Sequence, residues 1–230
     1  MRTIPRVPAP SSRSKIDPRA SGCVFGALSS GLAPPLTDSS FMVRLNRIYT
    51  KTGDDGSTAL GDGTRLPKHH LRVASYGEVD ELSSVLGLAL VNGLGEPMAV
   101  QVRQIQNDLF DVGADLCLPG EEGDGLRVPD AYVERIEGWI DAANESLEPL
   151  KSFVLPGGNP VAAWLHLGRT VCRRAERNVV ALAEAMSDEQ PLNPVVVQYL
   201  NRLSDLLFVL ARCANDGGRA DVLWVPGQAK

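Results

Sequence analysis

The sequence lacks several features that would place it in common classes of protein. Its four cysteines, Cys23, Cys117, Cys172 and Cys213, are far apart and form no CxxC pair, so they indicate neither a metal site nor a disulfide framework. Aromatic residues make up only 5% of the chain, and alanine and leucine are abundant, which favours helices over strands. No apolar run reaches the roughly 18 residues that a membrane-spanning helix needs. We therefore expect a helical, cytoplasmic protein that does not enter a membrane.

The chain also lacks an excess of positive charge. Its formal net charge is −5, whereas proteins that bind nucleic acid present a broad basic surface. Nucleic acid is thus not expected as the main partner. With 230 residues, 43% of them hydrophobic, the chain can build a substantial core in one large domain or two small ones.

Residues 1–41 differ from the rest of the sequence. Proline and serine are frequent, no apolar period is visible, and five basic residues stand against Asp17 and Asp38. This composition predicts a disordered extension. Two interpretations stay open: a transit peptide, or an extension of no catalytic consequence that precedes a functional start at Met42, which we favour. The predicted domains are therefore residues 1–41, a disordered extension, and residues 42–230, a helical domain.

Apolar residues recur at three- and four-residue steps in five segments, each of which predicts a helix. Two helices have an Asn-Pro start signal, in which the asparagine caps the helix and proline occupies its first turn. The sequence contains no strand pattern of comparable strength, although residues 47–50 are β-prone. The fold class is predicted as all-α, an antiparallel five-helix bundle. The predicted helices begin at Pro67, Pro97, Asp130, Asn159-Pro160 and Asn193-Pro194 and end near Val91, Leu116, Leu147, Asn178 or beyond, and Asn215.

The fourth predicted helix carries an unusual concentration of arginine in the stretch WLHLGRTVCRRAERN, residues 164–178. At about 100° per residue, Arg169, Arg173, Glu176 and Arg177 share one quadrant. The apolar residues expected to lie broadly opposite are Trp164, Leu167, Val171, Ala175 and Val179. Arginines at this spacing repel one another unless acidic residues or a polyphosphate lie between them. A solvated face is the alternative interpretation.

A polar loop, RIYTKTGDDGSTALGDG at residues 47–63, precedes the first helix. Its glycines and aspartates can adopt positive φ and expose backbone N–H groups, and it also carries hydroxyl groups and a lysine. Such a loop can hold phosphates, although it is not a Walker A motif. A polar surface turn is the competing interpretation.

Two further polar residues stand on predicted helices. Asp80, in YGEVDEL, lies among apolar neighbours, and a carboxylate near a core-facing stripe needs a partner, for which an arginine is the natural candidate. Asn201, in LNRLSDLLF, offers both a donor and an acceptor, which suits recognition of a base or ribose. Ordinary surface positions remain possible for both residues.

Six motifs in the same order make the sequence resemble the PduO-type ATP:cob(I)alamin adenosyltransferases, also called corrinoid adenosyltransferases. The resemblance covers roughly residues 44–225. The motifs are TKTGDDGST (50–58), Lys68, YGEVDEL (76–82), FVLPGG (153–158), RTVCRRAER (169–177) and LNRLSDLLF (200–208). It implies a five-helix bundle that forms a homotrimer with active sites between subunits. It also implies transfer of the 5′-deoxyadenosyl group of ATP to the cobalt of cob(I)alamin, with Mg²⁺ assisting and triphosphate released.

The resemblance also implies roles for particular residues. The polyphosphate would be held by Thr50, Lys51, Thr52, Gly53, Ser57, Thr58 and Lys68. ATP and its metal would be contacted by Arg173, Arg174, Glu176 and Arg177, with Asn201 on the nucleotide. No side-chain cluster would form a separate metal site, and Mg²⁺ would arrive with ATP, near Glu176. Arg169 would pair with Asp80 across the subunit interface, and Phe153 would crowd the lower face of the corrin and displace the lower ligand of cobalt.

Partner proteins follow from the same resemblance: a flavin reductase that supplies Co(I) and a cobalamin-dependent mutase that receives the product. The alternative function is a non-catalytic ATP- and cobalamin-binding module of the same fold, which senses ATP or delivers adenosylcobalamin to a mutase. A helical interaction protein with solvated arginines is a third possibility, which the acidic composition and the loop sequence disfavour.

Overall fold

A computed structural model describes residues 48–120, 125–186 and 191–227. The predicted extension, Cys23, Arg47 and residues 121–124 of the acidic loop lie outside the described residues. In the described part, five helices dominate and strands are confined to one short hairpin, which confirms the all-α prediction. The helices are α1 (Leu71–Val91), α2 (Met98–Cys117), α3 (Asp130–Asn144), α4 (Pro160–Ala185) and α5 (Pro194–Ala214), and the strands are β1 (Ser57–Ala59) and β2 (Arg65–Pro67).

The helix starts show which sequence signals were reliable. Both Asn-Pro signals are confirmed: the Asn159 side chain accepts a hydrogen bond from the Ala162 N–H at 2.9 Å, and Asn193 caps α5 in the same manner. The predicted start of the first helix at Pro67 is wrong, because Pro67 ends β2 and His70 caps α1 instead. The third helix stops at Asn144 rather than near Leu147.

The β-prone segment was also placed incorrectly. Of residues 47–50, the three described ones lie outside any strand, and the hairpin forms further along the chain, with Thr58 opposite Leu66. Strands of three residues are too short to show an alternating pattern in the sequence. The hairpin leads directly into α1, so residues 50–68 lie at the N-terminal end of that helix.

The helices pack in a fixed order, with α1 between α2 and α4, and α5 between α4 and α3. Helix α1 is antiparallel to α4, because Glu78 meets Arg174 while Leu86 packs near Gly168. The α3–α5 pair runs parallel, an exception to the antiparallel arrangement: residues on α5 contact residues about 65 positions earlier, as in the pair of Arg202 with Glu137. The loop at residues 50–68 and the start of α4 therefore lie at opposite ends of the bundle.

The core is apolar and is shared by all five helices, with leucine and valine side chains dominating. It also encloses a polar cluster: the fully buried carboxylate of Asp108 accepts hydrogen bonds from Gln104 on its own helix, from Arg135 on α3 and from the Tyr199 hydroxyl on α5. These partners compensate the cost of burying a charge. The cluster fixes α2, α3 and α5 relative to one another.

Helix α5 is long and apolar enough to cross a membrane, judged by length and composition. Within the bundle, however, 56% of its most apolar window is buried, as in the core helix of a globular domain. Cys172 and Cys213 are also buried on their helices.

Candidate active site

Helix α4 buries two of its sides, because it packs against both α1 and α5. This explains why the predicted apolar face is only partly right. Val171, Ala175 and Val179 are buried, but Trp164 is only half-buried and Leu167 is 44% exposed. Leu165 and the neighbouring histidine, His166, are buried instead. The remaining surface of the helix is narrow, and it carries the arginines.

One side of α4 carries Arg169, Arg173 and Arg177, and we call it the arginine strip. Arg173 and Arg177 are exposed, and Arg177 Nη1 donates a hydrogen bond to the Arg173 carbonyl at 3.1 Å. Among the described residues, no acidic side chain forms an ion pair with any of the three. The strip is therefore a concentrated positive surface that is suited to a polyanion.

Arg169 lies half-buried at the end of the strip that is nearer the start of α4. Its Nε is buried and has no hydrogen-bond acceptor among the described residues. Burial, and secondarily the charge of Arg173, lower the pKa of this guanidinium. An anionic partner from outside the chain would relieve both effects.

His166 precedes Arg169 by one turn and was not identified from the sequence. Both of its ring nitrogens are buried without a partner in the described part of the chain, and its ring lies edge-on to Phe208 with centroids 6.1 Å apart. Burial, followed by the charge of Arg169, lowers its pKa, which keeps the imidazole neutral at pH 7. A lone histidine in an apolar helical pattern gives no sequence signal that its ring nitrogens are buried without a partner.

Arg174 does not belong to the arginine strip. Its guanidinium donates to both Glu78 and Glu81 on α1, and these hydrogen bonds raise its pKa. Asn178 donates to the other oxygen of Glu78 at 3.2 Å. In the chain by itself, Arg174 therefore connects α4 to α1, about 100° around the helix from Arg173.

Glu176 and Asn201 are brought together, as the prediction of a shared nucleotide site requires. Asn201 Nδ2 donates to Glu176 Oε1 at 2.9 Å, and its Oδ1 accepts from Arg202 Nη1 at 2.6 Å. Arg202 in turn donates to Glu137 on α3 at 2.7 Å. Both ends of the Asn201 amide are thus occupied, so this side chain fixes the orientation of Glu176. Glu137 was not identified from the sequence, because its partner is 65 residues away.

The loop at residues 50–68, which we call the phosphate loop, folds into a compact polar turn. Lys51 and Gly56 have positive φ, 61° and 84°, and a Cβ added at Gly53 would lie only 3.2 Å from Lys68 Nζ. The ammonium group of Lys68 is therefore held directly against the backbone of Gly53. The hydroxyls of Thr50 and Thr52 are 2.9 Å apart, within hydrogen-bond distance, and both residues are exposed.

The other predicted residues of the phosphate loop shape it from within. Ser57 donates its N–H and hydroxyl to Asp55 Oδ1 at 2.9 and 2.7 Å, which lowers the pKa of that carboxyl group. Thr58 lies on β1, in the hairpin. Arg65, which the sequence analysis missed, donates to the Thr52 carbonyl at 2.6 Å and to the Ser57 hydroxyl. It braces the loop and adds a positive charge beside it.

Asp80 is exposed on α1 and has no side-chain partner among the described residues. It lines a groove of about 260 Å³ between α1 and α2. The other walls of the groove are mainly apolar or small and include Tyr76, Val79, Leu109, Phe110 and Gly113. Phe110 is 72% exposed, so this face presents an apolar surface around an unpaired carboxylate.

Phe153 lies at the other end of the bundle, in the connection between α3 and α4, and its ring is 76% exposed. It stacks in a tilted arrangement on Trp224, with ring centroids 5.9 Å apart. Helix α1 alone is about 30 Å long at 1.5 Å per residue, and it separates Phe153 from the phosphate loop. One chain therefore does not bring all the predicted residues into a single site.

Among the described residues, no group of three or more histidine, cysteine, aspartate or glutamate side chains could hold a metal ion. Glu176 supplies an isolated carboxylate, in which Oε1 accepts a hydrogen bond from Asn201 and Oε2 has no hydrogen-bond partner among the described residues. Carboxylate oxygens suit Mg²⁺, which usually binds through one or two of them together with substrate phosphates. The residues present therefore fit a metal that arrives with a nucleotide.

The fold and these residues define a helical bundle with a positively charged strip on α4 and a compact polar loop before α1. The family model described as cobalamin adenosyltransferase matches residues 48–214. The chain belongs to this family, and the PduO-type resemblance is confirmed.

Individual relatives agree with this assignment. A corrinoid adenosyltransferase from Mycobacterium tuberculosis is 51% identical over 189 residues, covering 80% of this chain and 96% of that protein. The mouse corrinoid adenosyltransferase MMAB is 40% identical over 186 residues, with coverage of 78% and 77%. Among solved structures, a variant of the PduO-type ATP:corrinoid adenosyltransferase from Lactobacillus reuteri, complexed with cobalamin and ATP, superposes with a TM-score of 0.72 at 37% identity, covering 78% of this chain and 97% of that chain.

Proposed function

We propose that this protein is an ATP:corrinoid adenosyltransferase, which transfers the 5′-deoxyadenosyl group of ATP to the cobalt of cob(I)alamin and releases triphosphate. Family membership supports the reaction, and the unpaired arginine strip is the structural observation that carries it. Three arginines without ion-pair partners among the described residues are a costly arrangement unless anions bind to them: a polyanion at Arg173 and Arg177, and an acidic side chain at Arg169.

The chemistry requires little of the protein beyond orientation and charge stabilisation. Co(I) is itself the nucleophile: its electron pair forms the Co–C5′ bond while the C5′–O bond breaks, and that bonding pair leaves with the triphosphate. Negative charge therefore grows on the leaving group in the transition state. Arg173 and Arg177 stabilise that charge, and the phosphate loop with Lys68 holds the polyphosphate in line.

Mg²⁺ accompanies ATP in this proposal and neutralises part of the charge on its phosphates. Glu176 is the side chain placed to approach the metal, and Asn201 and Arg202 orient its carboxylate. Arg174 contributes indirectly by connecting α4 to α1.

Phe153 has the role of crowding the lower face of the corrin. Its exposed ring can approach the macrocycle closely and exclude the lower ligand of cobalt, and loss of that ligand makes Co(I) easier to reach by reduction. The chemistry also requires an electron donor for Co(I), such as a flavin reductase, and a cobalamin-dependent mutase that accepts the product. We place the reaction in the cytoplasm.

The active protein is proposed to be a homotrimer with a site between adjacent subunits. The phosphate loop and Phe153 lie at opposite ends of one bundle, so a complete site needs residues from two chains. Two unpaired groups support the same conclusion: Arg169, whose buried Nε has no acceptor in the described part of the chain, and Asp80, which lies in an apolar groove. Arg169 of one subunit pairs with Asp80 of the next.

A charge swap tests this interface. We expect Asp80→Arg and Arg169→Asp each to disrupt the trimer and reduce activity by about 10²-fold, since unpaired or like charges at an interface cost several kcal/mol. The double variant should recover trimer and activity in part. Analytical ultracentrifugation and the transfer assay measure both properties. Failure of the double variant to recover either one, with both single variants folded, would refute the pairing.

The function itself is tested without oxygen by mixing the protein with Mg-ATP and chemically reduced cobalamin. We expect the Co(I) spectrum to decay only when ATP is present, with one triphosphate released for each adenosylcobalamin formed. ATP and cobalamin binding without Co(I) loss would instead establish the non-catalytic binding module. A helical interaction protein would show no stabilisation by ATP against thermal unfolding.

A further inference from the structure

The orientation of Phe153 is set by a segment near the C-terminus rather than by the core. The Phe153 carbonyl accepts a hydrogen bond from the Trp224 N–H at 2.8 Å, and Leu155 N–H donates to the Val222 carbonyl at 2.8 Å. The two aromatic rings also contact one another. Since the Phe153 ring is largely exposed, these contacts with residues 222–224 are what hold it in place.

Residues 222–225 are all between 42% and 52% exposed. Their own side chains therefore attach this segment only weakly to the bundle. They are anchored immediately before, at Asp221. The side chain of Asp221 is only 2% exposed, and its carboxylate accepts hydrogen bonds from Arg212 Nε at 2.9 Å and from Asn215 Nδ2 at 3.2 Å. Arg212 and Asn215 lie at the C-terminal end of α5 and are themselves buried.

The same two residues of α5 also hold the segment that carries Phe153. Arg212 Nη2 donates to the Glu148 carbonyl at 2.9 Å, and Asn215 Nδ2 donates to the Gly157 carbonyl at 3.3 Å. On the other side, Asn215 Oδ1 accepts from the Asn159 N–H at 3.1 Å. The Asn215 side chain packs so closely against this segment that a Cβ added at Gly158, which has a φ of 100°, would overlap the Asn215 amide.

We propose that Asp221, held by Arg212 and Asn215, is a positioning residue for adenosyl transfer, which fixes Phe153 at the lower face of the corrin. Arg212, Asn215 and Asp221 form an anchor cluster. It holds the segment that carries Phe153 and the segment that carries Trp224 at the end of α5. The inference rests on the proposed function, because it assigns a consequence to the corrin-facing role of Phe153. Small displacements of a positioned group are enough to reduce catalysis strongly.

The anchor cluster acts on activation of the corrin and not on binding of ATP. The arginine strip lies along the middle of α4, and the phosphate loop lies at the opposite end of the bundle, so neither contacts Asp221. A purely structural role would weaken every function together with folding. A positioning role predicts instead that corrin activation fails while ATP binding is retained.

The test uses the full chain with Asp221→Asn, which keeps the shape of the side chain and removes its charge. We expect the base-off fraction of cob(II)alamin bound in the presence of Mg-ATP, read from its visible spectrum, to fall strongly, and kcat from cob(II)alamin under a reductant to fall about 10- to 100-fold. The KM for ATP should change less than about twofold. Asp216→Asn is the matched control, because it breaks the exposed ion pair with Arg219 at the same end of the bundle and should leave both readouts unchanged.

Two outcomes would overturn the inference: a base-off fraction equal to that of the wild type, or a parallel loss of ATP affinity and base-off cobalamin. If loss of the buried charge prevents folding, Trp224→Ala takes its place, since that exposed ring contacts Phe153 without belonging to the anchor cluster. Wild-type behaviour of Trp224→Ala would then refute the proposal. A wild-type protein without ATP-dependent loss of Co(I) would refute the proposed function instead, so the two failures are distinguishable.

Discussion

Replacing Arg173 with alanine should reduce adenosyl transfer by about 10²- to 10³-fold, the usual cost of removing one group that stabilises developing charge. Arg173 is exposed at the centre of the arginine strip, and its side chain has no hydrogen-bond or ion-pair partner in the described part of the chain. Its removal therefore breaks no internal contact, and we expect the free energy of unfolding to change by less than about 0.5 kcal/mol. Loss of repulsion from Arg169 and Arg177 should even be slightly favourable.

The measurement combines steady-state kinetics on prereduced cob(I)alamin with thermal unfolding. Arg103→Ala is the control, since Arg103 is an exposed arginine on α2 that pairs with Glu96 and should be neutral for catalysis. Arg173→Lys keeps the charge but loses the planar donor fork that suits phosphate oxygens, so it should recover only part of the rate. An active Arg173→Ala variant would show that the strip does not receive the leaving group.

The position of Arg174 shows how the bundle separates the four arginines of α4 by function. Arg174 is one residue from Arg173, yet its guanidinium pairs with Glu78 and Glu81, whereas Arg173 and Arg177 have no ion-pair partner among the described residues. These partly exposed ion pairs contribute little free energy, but they direct the guanidinium of Arg174 towards α1. The repulsion between unpaired arginines is thus confined to the side of α4 where a triphosphate can bind and relieve it.

Much of this arrangement could be predicted from the sequence, because its signals are local. The Asn-Pro signals predicted the starts of α4 and α5, and the spacing of Arg169, Arg173 and Arg177 predicted a common side of α4, on which Arg173 and Arg177 are exposed. Helix caps and helical periodicity depend on residues within about one turn of each other, so a single sequence contains them.

The remaining features could not be predicted because they join residues far apart in the chain. Arg174 meets Glu78 across 96 positions, and Ser152 donates to the Trp224 carbonyl across 72. The periodic patterns of a single sequence contain no information about which distant residues pair. The hairpin was missed for another reason: its three-residue strands are shorter than the pattern that identifies a strand.

Phe153→Ala should uncouple reduction of cobalt from transfer of the adenosyl group. Truncating an aromatic anchor costs about 2 to 4 kcal/mol, which corresponds to about a 30- to 1000-fold loss in the base-off population of bound cob(II)alamin. Turnover that starts from cob(II)alamin and a reductant should fall accordingly. Turnover from prereduced cob(I)alamin should fall much less, because the arginine strip and the phosphate loop are intact.

Phe153→Leu should give an intermediate result, since it retains apolar bulk without the full reach of the ring. Val91→Ala removes an exposed apolar side chain at the same end of the bundle, and this control should behave like the wild type in both assays. Equal losses from cob(II)alamin and cob(I)alamin in Phe153→Ala would contradict the assigned role, since they would indicate a ring that binds the corrin equally in both oxidation states. A loss confined to cob(II)alamin would mean that the exposed aromatic side chain acts on the lower ligand of cobalt before the nucleophile exists.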